Sequence, residues 1–222
     1  MTANPERRKE LGLLGGMFDP VHFGHLNIAL SSLEKIQLDE VHLLPCGQPV
    51  HKSALFTASK HRLAMLQIVA NENPLLSIDE RECRSAEPSY TLKSLQAIRH
   101  ENPDARLYYI LGQDAFNTFD TWYCWQEIFS LVHIVVAGRP GYEFNFVATL
   151  QKEFEERKVD TVEMLKQFNQ GKIFITDFEL LDISSSLIRE NIKHKKSLNG
   201  LLPESIVHYI NTQKLYTREV AS

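Results

Sequence analysis

Short apolar runs alternate along the chain with longer stretches of helical period. The runs Leu11–Gly15, Glu40–Leu44, Leu75–Ile78, Arg106–Leu111, His133–Ala137 and Lys172–Thr176 have the length and the aliphatic content of strands. Between and after them, Gly24–Lys35, Thr57–Asn71, Thr91–Glu101, Trp125–Phe129, Ser185–His194 and Glu204–Thr212 read as helices. In the second of these helices Leu63, Leu66, Ile68 and Val69 supply the expected apolar side. Such alternation predicts an α/β fold, a doubly wound parallel sheet with helices on both faces. Ligands of such sheets lie beyond the carboxyl ends of the strands, where the winding reverses. The residues that directly follow each run are therefore the ones to inspect.

Length and composition change this picture little. The 222 residues contain no evident linker, so one domain over 1–222 is expected, with 183–216 as its C-terminal helical part. The charged stretch Tyr142–Gly171 reads as a helical, peripheral elaboration. No apolar run approaches the roughly 20 residues that span a bilayer. The start, MTANPERRKELG, has charges without an apolar stretch behind them, so no secretory signal is read and a cytoplasmic setting is expected, with no membrane partner. A net charge of −4 argues against a nucleic-acid surface and leaves room only for a local cationic cluster. Cys46, Cys83 and Cys124 form no Cys-x-x-Cys pair, so neither a disulfide framework nor a protein-held metal is expected.

Two segments carry chemistry. Gly15-Gly16-Met17-Phe18-Asp19-Pro20-Val21-His22-Phe23-Gly24-His25 follows the first strand directly. Its glycines allow a tight turn and a close approach of ligand to main chain. His22 and His25 can share one face if a helix begins at or just before His22. A helix start attracts phosphate through its amides and dipole, and imidazoles add N–H donors for charge developing on phosphoryl oxygens. The segment is neither a Walker loop nor a Gly-x-Gly-x-x-Gly fingerprint. Far downstream, Ile183-Ser184-Ser185-Ser186-Leu187-Ile188-Arg189 reads as a capped helix start with an arginine one turn on. By itself that is a capped helix; with Arg189 on the face of Ser186 it can also clamp phosphate.

The first segment resembles the His-x-Gly-His signature of the nucleotidyltransferases, and in its longer form that of the bacterial nicotinate-nucleotide adenylyltransferase family. The second is similar to the Ile-Ser-Ser-x-x-Ile-Arg motif of the same superfamily. Pro45 to Lys52 resembles the family's Pro-x-x-x-Pro-x-His-Lys loop, Ser89-Tyr90-Thr91 its element near the nicotinate ring, and Gly112-Gln113-Asp114 its nucleotide-hydroxyl site. The segment Trp122-Tyr123-Cys124-Trp125 and the segment Arg139-Pro140-Gly141 match further elements. Two positions depart: Met17 stands where the family usually has threonine or serine, and Cys46 where it often has asparagine.

The resemblance implies a Rossmann-like fold and a reaction in which ATP and nicotinate mononucleotide give deamido-NAD and pyrophosphate. It assigns His22, His25 and Arg189 to catalysis. ATP contacts are implied for Gly15, Gly16, Met17, Phe18, His22, Gly24, His25, Gly112, Asp114, Ile183, Ser185, Ser186 and Arg189. Mononucleotide contacts are implied for Cys46, Lys52, Tyr90, Thr91, Trp122 and Arg139, with Trp122 stacking on the pyridine ring and Trp125 left to the core. Mg²⁺ would arrive mainly on the ATP phosphates. Other readings stay open: an enzyme preferring the amide mononucleotide, and a silent nucleotide-binding protein of the same fold. Phosphopantetheine adenylyltransferase is disfavoured by His22, since that family has threonine or serine there. Homo-oligomerisation is left open.

Overall fold

The computed structural model describes residues 8–48, 57–138, 144–176, 178 and 181–217. All six expected strands are present, as β1 (Glu10–Gly16), β2 (Glu40–Pro45), β3 (Leu76–Ile78), β4 (Arg106–Gly112), β5 (His133–Ala137) and β7 (Ile173–Thr176). A short strand not expected from the pattern, β6 (Lys158–Val159), completes a seven-stranded sheet in the order β3-β2-β1-β4-β5-β7-β6. Every pairing is parallel. The chain winds outward from β1 through β2 to β3, then crosses back to lay β4 on the other side of β1. The crevice at the carboxyl ends of β1 and β4 is therefore the switch point, and the glycines ending both strands lie there.

The predicted helices appear as α1 (Phe23–Ile36), α2 (Ser59–Glu72), α4 (Thr91–Glu101), α6 (Trp125–Ile128), α9 (Ser185–Lys193) and α10 (Glu204–Gln213). Four others join them: α3 (Arg81–Arg84), α5 (Gln113–Phe116), α7 (Ala148–Arg157) and α8 (Val162–Leu165). Helices cover both faces of the sheet, as the alternation predicts. Leu14, Tyr108, Ile110 and Val135 face one layer, with α1, α2 and α8 to α10 packed against it. Leu13, Tyr109, Leu111 and Val136 face the other, with α4 to α7. Neighbouring strand residues thus divide between two cores, and all five residues of β5 are buried.

Two expectations are corrected. The buried side of α2 is Arg62, Met65, Leu66 and Val69, while Leu63 and Ile68 are only half-buried. The spacing i, i+3, i+4, i+7 places an arginine in the apolar stripe. Nor is the 142–171 region only peripheral. Within it α7 buries Leu150 completely and β6 extends the sheet beside β7. Among the described residues no helix is long and apolar enough to cross a membrane.

Candidate active site

The segment after β1 forms the centre of the site. A Cβ on Gly15 would lie 2.1 Å from the Tyr109 hydroxyl, so only glycine leaves room for that phenol, which rises from β4. Gly16 O accepts the Cys46 amide at 2.9 Å, which fixes the loop after β2 against the loop after β1. Phe18 adopts φ 50 and buries its ring completely, 4.8 Å from that of His25. Its side chain thus belongs to the core, which leaves only its main chain for any contact with a ligand. Asp19 is equally buried, and its carboxylate accepts the Tyr216 hydroxyl at 2.6 Å and the Thr57 amide at 3.2 Å.

His22 is the N-cap of α1, and its side chain makes no capping bond. The helix therefore begins where the two histidines share a face, and their rings lie against each other with centroids 3.8 Å apart and planes tilted by 33°. The amides of Phe23, His25 and Leu26 have acceptors in the protein, the first being Leu201 O. What the helix start offers phosphate is thus more its dipole and its imidazoles than a row of open amides. Burial pushes the His22 imidazolium pKa down to about 4. Burial, and then the neighbouring charge of His22, holds His25 well below the ordinary histidine range. Both rings are neutral at physiological pH in the unliganded protein. Neither buried Nδ1 has a hydrogen-bond partner among the described residues, so no fixed acceptor pins the tautomer. Each ring can carry its proton on the nitrogen that meets a phosphate oxygen.

The second motif meets the first here. Ser184 caps α9 by accepting the Leu187 amide at 3.1 Å. Ser185 Oγ donates to Pro20 O at 3.0 Å, and Arg189 Nη1 to Asp19 O at 2.7 Å. Arg189 Nη2 also reaches Ser186 Oγ at 3.2 Å, as their spacing on one face predicts. These two bonds use two of the five guanidinium donors. Gly24 permits this docking. A Cβ there would sit 3.0 Å from the His22 ring and 3.3 Å from Ile183 O. The Ser185 hydroxyl, expected to face ATP, is engaged with the first loop, so α9 is locked to that loop.

On the acceptor side Ser89 does not cap α4; the N-cap is Tyr90. Ser89 Oγ instead accepts the Gly47 and Gln48 amides at 3.0 and 3.1 Å, which joins the 88–91 segment to the loop after β2. Trp122 lies edge-on to Tyr109 at 6.1 Å and leans on Phe119 at 5.1 Å, so it is half-buried between core and crevice. Trp125 packs on Phe119 and Phe129 but, like Trp122, is only half-buried at the edge of the core. Burial, with Glu82 second, pushes the Cys46 thiol up to about 11, which keeps it a neutral, weak donor. Gly112 ends β4 in open space, and the exposed Asp114 stands in the first turn of α5. Lys52 and Arg139 lie outside the described residues.

Three residues of the site escape sequence reasoning: Arg62, Tyr109 and Tyr216. Tyr109 looks like an ordinary aromatic inside a predicted strand, and Tyr216 like one beyond the last predicted helix. Arg62 did leave a signal, a cation in phase with Met65, Leu66 and Val69.

A parallel sheet with a histidine-bearing loop at its switch point, braced by a distant serine–arginine helix start, defines a nucleotidyltransferase. The family model described as cytidylyltransferase-like matches residues 13–191. A Pseudoalteromonas atlantica protein named "Probable nicotinate-nucleotide adenylyltransferase" is 40% identical over 209 residues, 94% of this chain and 95% of its own. A protein of the same name from Vesicomyosocius okutanii is 38% identical over 203 residues, 91% of this chain and 94% of its own. The chain belongs to the nicotinate-nucleotide adenylyltransferase family. The fold is also that of a Plasmodium falciparum nicotinic acid mononucleotide adenylyltransferase solved with NaAD, at a TM-score of 0.72 and 18% identity over 96% of this chain and all of that one.

Proposed function

We infer that this chain transfers the adenylyl group of ATP to nicotinate mononucleotide, giving deamido-NAD and pyrophosphate in NAD biosynthesis. One observation supports the residue assignments: the 2.7 Å bond from Arg189 to Asp19 O brings α9 against the loop that leads into the neighbouring His22 and His25 rings. In the reaction an oxygen of the mononucleotide phosphate attacks the α-phosphorus of ATP. The bond from that phosphorus to the bridging oxygen breaks, and pyrophosphate leaves with the electron pair. The nucleophile already bears negative charge, so no strong general base is needed, and catalysis rests on alignment and charge stabilisation. His22 and His25 donate N–H to the phosphates, His25 chiefly where charge builds in the transition state. Arg189 and the start of α9 hold the β- and γ-phosphates, and the main chain of 15–18 lies along the triphosphate. Trp122 offers a flat face to the pyridine ring, with Tyr90 and Thr91 beside it. Lys52 and Arg139 supply further cations for the anionic substrates. Magnesium enters as part of the ATP complex, and the setting is cytoplasmic.

Pyrophosphate release tests this reading directly. With ATP, turnover is expected with nicotinate mononucleotide, at a higher kcat/KM than with the amide mononucleotide. A reversed ratio would make it the amide enzyme. Nucleotide binding without turnover of either acceptor would make it a silent binder.

A further inference from the structure

We propose that Arg62 is a positioning residue that sets the spacing between the ATP loop and the acceptor loop, and so aligns the two substrates; this rests on the adenylyl-transfer reading above. Arg62 is 1% exposed, on the inner side of α2. A guanidinium has five N–H donors in a rigid planar fork. Here all five are engaged. Nε donates to Thr57 O at 3.1 Å, Nη1 to Met17 O at 2.9 Å and to Cys46 O at 2.7 Å. Nη2 donates to Gly47 O at 3.3 Å and to Ser59 Oγ at 3.0 Å. The acceptors are four carbonyls and a hydroxyl, so these bonds solvate the charge without cancelling it.

Those acceptors lie on the segments that flank the crevice. Met17 belongs to the loop that follows β1, Cys46 and Gly47 to the loop that follows β2, and Thr57 and Ser59 to the entry of α2. One rigid group therefore touches both the stretch assigned to ATP and the stretch assigned to the mononucleotide. A leucine would suit the apolar stripe of Met65, Leu66 and Val69, but would leave Met17 O and Cys46 O without these donors. A lysine keeps the charge, yet its donors radiate from one nitrogen and cannot span the fork. In-line attack is sensitive to distance, and a displacement of about 1 Å can lower turnover about 10²-fold. A loosened Arg62 is thus expected to act on the reaction of bound substrates more than on the binding of either one.

The test uses Arg62→Lys and Arg62→Ala in the full chain. For Arg62→Lys, kcat is expected to fall at least roughly tenfold, while the dissociation constant of each substrate alone changes less than about threefold. In Arg62→Ala, millimolar guanidinium is expected to restore kcat saturably, and methylammonium is not. A folded Arg62→Lys protein with wild-type kcat would overturn the proposal, as would equal rescue by the two cations. If Arg62→Ala does not fold, Arg62→Lys decides alone. Wild-type protein that releases no pyrophosphate sinks the functional reading instead. The positioning role is then judged by hydrogen–deuterium exchange, which Arg62→Lys must raise at both 16–18 and 46–48; unchanged exchange at either loop overturns it.

Discussion

At the scale of single residues, the site depends on two imidazoles that the protein keeps neutral. The His22 and His25 rings lie 3.8 Å apart, and burial disfavours a proton on either. In the proposed reaction they act as N–H donors whose charge would rise only when anionic phosphate arrives to stabilise it. His25→Ala is expected to lower kcat by about 10²–10³ with the fold intact, the scale for losing one transition-state donor. Near-normal turnover in that variant would remove His25 from the chemistry. Nitrogen NMR of the free protein tests the charge state separately: both rings should be neutral at pH 6, and a His25 midpoint near 6.5 would contradict the burial argument. The positions of these residues were legible because the motif is local, eleven residues after one strand. Their electrostatic state was not, since it depends on what buries them.

At the scale of elements, the loop after β1 is held from several directions. Ser185 and Arg189 of α9 grip its carbonyls, and Tyr216, beyond α10, holds the Asp19 carboxylate. Tyr216→Phe removes the hydroxyl that donates to Asp19 at 2.6 Å and keeps the ring. It should lower stability by roughly 1–3 kcal/mol in urea unfolding, and should lower kcat/KM for ATP because the loop it releases carries the histidines. Unaltered kcat/KM beside the lost stability would show that this brace serves the fold only. Capping of α9 was legible from its serines, and Ser184 does cap it. The roles of Ser185 and Ser89 were not, because a hydroxyl reads as a helix cap in sequence whether its partner is local or far along the chain. Arg62 was passed over for a related reason: an arginine counts as polar in a periodicity pattern, and only the buried carbonyls around it explain its place in an apolar stripe.

For the whole molecule, acid stability follows from buried histidines: beside His25, whose burial acts in the same direction, His22 and His133 contribute from different parts of the fold. His22 sits at the carboxyl ends of the strands. His133, at the start of β5, stacks on Tyr108, donates from Nε2 to Phe168 O at 3.2 Å and accepts the Lys172 amide on Nδ1 at 3.3 Å. Burial lowers each pKa to about 4. Between pH 6.5 and 4 the unfolded chain therefore binds protons that the folded chain refuses. Their contribution is complete above pH 6.5 and is lost as pH falls toward 4, by up to roughly 3 kcal/mol for each ring. Urea unfolding at pH 7 and at pH 4.5 should show this loss, and His133→Gln should reduce the difference between the two. An equal pH difference in that variant would exclude His133 as a source.

The alternation of strands and helices, the two-faced parallel sheet and the two motifs at the site follow from the amino-acid order alone. Each of these is written in periodicity or in contiguous residues, so nearby physical chemistry suffices to read it. That Arg189 reaches Asp19 O, that Tyr109 fills the space above Gly15 and that Arg62 joins two loops emerges only once the chain is folded. The small edge strand β6 belongs with them, since two residues carry no period and pair only because β7 is already in place. These contacts link residues far apart in the chain, and sheet order, register and helix docking had to be fixed before any of them existed.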